Sequence, residues 1–74
     1  MESPLTTILL TMEKPDGDLV TATKIMRTTL QGIAVCNLEG PMLKVCVETD
    51  KIQQVIHAAS QAKMKKIGLL NLHD

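Results

Sequence analysis

Residues 33–49 read IAVCNLEGPMLKVCVET. Gly40-Pro41 divides the stretch into two short runs, 33–39 and 42–49, both rich in β-branched and apolar residues. Two such runs joined through Gly and Pro have the pattern of a β-hairpin. In the second run Leu43, Val45 and Val47 alternate with Met42, Lys44, Cys46 and Glu48. A strand with one apolar side and one mixed side has one covered face and one wetter face. The hairpin therefore belongs to a sheet with a layer packed on only one of its sides.

The flanks supply that layer. Upstream, Leu19, Ala22, Met26, Thr29 and Leu30 recur at intervals of three and four, while Lys24, Thr28 and Gln31 face away. This spacing predicts a helix over 18–31, with Asp18 as its N-cap and Gly32 at its end. Downstream, Ile52, Val55, Ile56 and Ala59 form a second apolar stripe, with Thr49 or Asp50 available as its cap. Lys63, Lys65 and Lys66 fall at the expected end of that helix, where cations oppose its dipole. Farther out, 6–12 reads TTILLTM, with Ile8, Leu10 and Met12 on one face, and Gly68 to Leu72 forms a short final strand. The turn Lys14-Pro15-Asp16-Gly17 joins the first strand to the first helix, with Pro presetting one dihedral and Gly permitting a positive one.

The order is β-α-β-β-α-β, made of two strand-helix-strand units. Interlocked, they give a ferredoxin-like α+β fold: a four-stranded antiparallel sheet with both helices on one face, spanning 1–74 as a single domain. The run 33–39 is expected at one sheet edge and the final strand at the other, and unpaired edges invite strand addition.

Composition narrows the function. The chain is 45% apolar and 22% charged, which places it among globular chains rather than disordered ones. It has no Phe, Tyr or Trp, so its core is aliphatic with Met filling gaps. That also removes the stacked aromatics by which sheet-face RNA readers work. The formal net charge is zero, although acids gather before Leu19 and lysines after Ala62. Neutrality argues against a general nucleic-acid binder. No apolar run approaches the ~20 residues that span a bilayer, and the N-terminus lacks a secretion-signal pattern. Neither nucleic acid nor membrane is expected as a partner. A cytoplasmic location, with both cysteines reduced, is expected.

No catalytic residues stand out. No Ser, Cys or Thr sits in a nucleophile turn, and no pair of acids is placed to divide the roles of acid and base. His57 falls on a helix flank and His73 in the tail, neither beside a carboxylate or thiol at helical spacing. The chain is not expected to be an enzyme or to carry a cofactor. Cys36 and Cys46 flank the hairpin turn. A three-residue loop would set them opposite each other, and a four-residue loop would set Cys36 opposite Val45. A disulfide, a shared metal or a redox site thus stays open as an alternative, although two thiols without further ligands make a poor zinc site.

The uncovered sheet face is expected to carry Thr7, Leu9, Thr11, Lys44 and Cys46, with Leu69 or Leu70. An apolar patch on a bare sheet marks an association surface, and a small aliphatic core gains from a partner. The primary expectation is a non-catalytic protein-interaction or oligomerisation module, acting through this face or an edge strand on a second copy or another protein.

The segment Glu13-Lys14-Pro15-Asp16-Gly17-Asp18-Leu19 resembles the corresponding turn of ACT-type regulatory domains, which share this element order. Gly32-Ile33 resembles that family's junction into the second strand. The resemblance implies a ligand-sensing domain with a small-molecule effector, often an amino acid, held at a domain interface. Gly17 takes the position of the family's glycine, and the ligand-binding residues it implies are Asp16, Gly17 and Asp18.

Overall fold

The computed structural model describes residues 4–72. In chain order the elements are β1 (Leu5–Met12), α1 (Leu19–Thr29), β2 (Ala34–Glu39), β3 (Met42–Glu48), α2 (Ile52–Gln61) and β4 (Met64–Leu72). The strands form one antiparallel sheet in the order β2-β3-β1-β4. Helix α1 joins β1 to β2, which lie on either side of β3. Helix α2 joins β3 to β4, which lie on either side of β1. The α+β class, the four antiparallel strands and the two edge positions are those expected.

The hairpin sets the register. Glu39 pairs with Met42, leaving Gly40 and Pro41 as a two-residue loop. Gly40 has φ +60° at the first central position, the requirement of a type II′ turn, whose twist suits a hairpin. Every later pair follows from this one, including Cys36 with Val45 and Val35 with Cys46.

One sheet face is covered by the helices. Ile8 and Leu10 of β1 and Leu43, Val45 and Val47 of β3 meet Ala22, Met26 and Leu30 below α1 and Val55, Ala58 and Ala59 of α2, all buried. A fully buried aliphatic side chain contributes about 2 kcal/mol. With no aromatic, the core depends on many such contributions and on alanines that let the helices sit close.

Helix α1 is shorter than 18–31. Asp18 caps it as expected: Oδ1 accepts from the N–H of Val20 (3.1 Å) and Thr21 (3.3 Å), and the Thr21 hydroxyl donates to Oδ2 (2.7 Å). At the other end Gly32, with φ +78°, turns the chain so that the N–H groups of Ile33 and Ala34 both reach the Leu30 carbonyl (2.8 and 3.0 Å). Thr29, read as part of the apolar face, is exposed. Thr23 is buried instead, its hydroxyl donating to the Leu19 carbonyl at 2.8 Å.

Three further expectations are corrected. Neither Thr49 nor Asp50 caps α2, because a single 3-10 turn, Thr49–Lys51, leads into it. The Thr49 hydroxyl is engaged elsewhere, donating to the Pro4 carbonyl (3.0 Å) and lying 2.7 Å from the Thr6 hydroxyl. The lysines do not close α2 against its dipole: the helix ends at Gln61, and Lys65 and Lys66 belong to β4, which starts at Met64 rather than Gly68. Gly17 does not adopt a positive φ. Its N–H closes the turn onto the Lys14 carbonyl at 3.0 Å, and the reason for glycine is space, since a Cβ there would lie 2.7 Å from Met12 Cε and 3.2 Å from that carbonyl oxygen.

Lys63 joins α2 to β4 in the left-handed region, with φ +61°. Its N–H bonds the Ser60 carbonyl (3.2 Å) and its carbonyl accepts from Glu13 N–H (3.0 Å). A non-glycine residue there costs about 1–2 kcal/mol, and helices favour Gly at this position. Lys63→Gly should raise the unfolding free energy by about 1 kcal/mol, read from the urea midpoint at unchanged slope. A lower midpoint would mean that contacts of the lysine side chain outweigh the strain.

Candidate functional site

Directly opposed residues in an antiparallel sheet share a face, so the register reads out the uncovered side row by row. One row runs Val35, Cys46, Thr7, Leu70 across the four strands. The next runs Asn37, Lys44, Leu9, Gly68. Beyond it Glu39 pairs with Met42 and Thr11 with Lys65. Thr7, Leu9, Thr11, Lys44 and Cys46 all lie on this face, as expected. Leu70 joins them. Leu69 does not, because it opposes Ile8 and so faces the helices.

Sharing a face does not make these side chains equally available. Thr7 is buried between its neighbours. Leu9 is half-buried and leans over Gly68, where a Cβ would come within 3.2 Å of Leu9 Cδ1. The residues that stand out are Leu5, Val35 and Leu70, exposed by 43, 61 and 57%. Leu5 and Val35 are absent from the sequence-based set. Leu5 precedes the run read as β1, and Val35 lies in a run without clean alternation. The usable signal for Val35 was the loop length, which makes it the neighbour of Cys46.

Charge gathers at the other end of the face. Lys44 Nζ donates to Glu39 Oε2 at 3.4 Å, and Lys65 lies across the same end. At the apolar end Glu48 is paired with Lys51 at 2.9 Å, and the hydrogen bond that Lys51 donates to Glu48 raises the pKa of that ammonium. A groove of about 390 Å³ opens there between Leu5, Cys46 and Glu48 and the segment from Gly32 to Val35.

The two edges are less inviting than this face. The pair Glu39–Met42 closes a two-residue loop and exchanges both ladder bonds, so alternate residues Ala34, Cys36 and Leu38 aim their backbone groups outward. Helix α1 and its end occupy part of that row. Ala34 N–H donates to the Leu30 carbonyl, and Arg27 donates to the Cys36 carbonyl from Nε (3.2 Å) and Nη2 (3.0 Å). On β4 the register shifts between Leu9 and Leu10, leaving Ile67 as an extra residue beside Lys65 and Lys66. Bulges and lysines are the usual means of blunting an edge.

The residues implied by the regulatory-domain resemblance lie elsewhere. Gly17 and Asp18 line a hollow of about 420 Å³ formed with Met12, Lys14, Ile25 and Lys63 between the start of α1 and the end of α2. Asp16 is exposed and does not line it. The Asp18 carboxylate is committed to its cap, and the Thr21 hydroxyl holds its pKa below the ordinary value. The cap is complete above the ordinary carboxylate range and is lost only as pH falls through that lowered value.

Cys36 and Cys46 are both free. The two-residue loop sets Cys36 opposite Val45, on the helix side, and Cys46 on the open side. A disulfide or shared metal between them does not fit this register. Burial pushes the Cys36 thiol up, with Arg27 opposing the shift. Among the described residues no group of three or more His, Cys, Asp or Glu is gathered to hold a metal ion, and no helix is long and apolar enough to cross a membrane. His57 is exposed, 3.3 Å from the Gln61 amide, and His73 lies outside the described residues. No protein-family model matches the chain, and no curated protein or solved structure matches it.

The two thiols should differ in reactivity. In native buffer a chromogenic disulfide reagent is expected to give one fast phase and one slow phase, and Cys46→Ser should abolish the fast one. Equal rates for both would contradict the opposite facing of the two side chains.

Proposed function

We propose that this chain is a non-catalytic interaction module that associates with a second copy of itself through the open sheet face. The observation that carries the reading is that Leu5, Val35 and Leu70 stand out beside the half-buried Leu9 and Cys46 on a sheet side that, among the described residues, no helix covers. Exposed apolar side chains gathered on one sheet face mark interaction sites. Among the described residues of the apolar end, the one acid on the face, Glu48, is paired with Lys51. A neutral apolar patch suits another neutral apolar patch, and a second copy provides one. The blunted edges favour the face over strand addition. The reading places the protein in the cytoplasm, with Cys46 reduced at the contact.

Light scattering over a concentration series tests this. The wild-type mass should rise from 8.1 kDa toward twice that value. Leu70→Lys should hold the monomer mass at the same concentrations without altering the circular dichroism. A wild-type chain that stays monomeric throughout, or a lysine variant that associates equally well, would contradict the proposal.

A second reading rests on the hollow at the β1–α1 turn. Its floor is apolar, from Met12, Ala22, Ile25 and Ala62, and Lys14 and Lys63 bring cations to its lining. Glu13 and Asp18 also line it, Asp18 engaged in its cap, so the hollow carries both signs of charge and suits a small aliphatic zwitterion such as an amino acid, in keeping with the ACT-type resemblance. A thermal-shift screen of aliphatic amino acids should then raise the melting temperature in a concentration-dependent way, and Ile25→Glu, at an exposed position of the lining, should remove the shift. A flat response across the screen would dispose of this second reading.

A further inference from the structure

The open face is asymmetric along each row, and the asymmetry is of a kind that fits its own copy. In the apolar row the larger Leu70 stands exposed at the β4 end and the smaller Val35 at the β2 end, where it borders the groove that also takes in Leu5, Cys46 and Glu48. Toward the charged end, Lys65 stands on β4 and Glu39 on β2. Neighbouring strands are about 4.8 Å apart, so the two ends of a row are separated by about 14 Å.

We infer that two copies pack face to face about a two-fold axis parallel to the strands, so that β2 of each lies over β4 of the other. This rests on the proposed self-association and gives it a geometry. The operation exchanges the ends of every row. Leu70 of each copy then lies against Val35 of the other, and Lys65 of each copy faces Glu39 of the other. Both contacts occur twice, as an isologous interface requires. Facing sheets pack about 10 Å apart with strands roughly aligned, a gap that leucine and valine side chains fill from both sides. An axis across the strands fails these tests. It would lay each strand over its own counterpart, stack Leu70 on Leu70, and keep Lys65 away from Glu39 of the other copy.

Two experiments on the full chain test the geometry. In a Cys46→Ser background, Val35→Cys and Leu70→Cys are made separately, one of them labelled with nitrogen-15, and treated with a short bis-maleimide alone and mixed. Rapid formation of the mixed pair, with little product from either variant alone, is the expected result. Faster linking of Leu70→Cys to itself would overturn the inference in favour of the crosswise axis. Independently, Lys65→Glu should weaken association at least about fivefold, and adding Glu39→Lys should restore it. A double variant no stronger than the single one would overturn the inference. If light scattering still gives a dimer in either negative case, the association stands and only this geometry falls. If the wild type is monomeric, the association itself has failed.

Discussion

The sheet depends on the two-residue connection at Gly40-Pro41. By pairing Glu39 with Met42 it fixes the parity of β2 against β3, and so which side of the sheet each β2 residue joins. Side chains alternate with a period of two, so a slip of one residue would exchange the faces of β2. Cys36 would leave the core and Val35 would enter it. The glycine at φ +60° is thus the local cause of what β2 contributes to each side of the sheet. It separates the two cysteines, and it brings Val35 into the row that ends at Leu70.

Around that constraint the two sides are treated differently. On the helix side polar groups are resolved locally. Thr23 bonds its own helix, Asp18 caps α1, and the hydroxyls of Thr6 and Thr49 meet where β3 leaves the sheet. Among the described residues no buried side-chain nitrogen or oxygen lacks a partner. On the open side, apolar groups remain in solvent while the edges are partly blocked, β2 by Arg27 and β4 by its bulge and lysines. A small domain with an aliphatic core has limited burial to draw on. Covering Leu5, Val35 and Leu70 would add to it without disturbing the packed layer.

Much of this was legible in the sequence because local chemistry and tertiary structure agree. The alternation of Leu43, Val45 and Val47 marks a strand covered on one side, the spacing from Leu19 to Leu30 marks α1, and Asp18 is both a favourable cap and the observed one. The parts that were not legible involve competition between levels. Lys63, Lys65 and Lys66 look like the end of a helix by charge, yet Lys63 turns the chain at positive φ and the other two continue as an edge strand where lysine is tolerated. Thr49 has the chemistry of a cap, but a distant carbonyl at Pro4 takes its hydroxyl. The bulge opposite Leu9 and Leu10 has no composition signal strong enough to reveal which of Leu69 and Leu70 faces out. Of the candidate surface, the strand faces were readable from alternation. The protruding residues were not, because exposure on a sheet depends on neighbours such as Gly68, which lets Leu9 lie down.

Methyl NMR spectra recorded across a dilution series bear most directly on the role assigned to the open face. If that face is the working surface, resonances of Leu5, Val35 and Leu70 should shift together with concentration. Those of Val20 and Ile25, exposed on α1 on the far side of the sheet, should stay fixed. Shifts confined to Val20 and Ile25, or a spectrum that does not change with concentration, would contradict it.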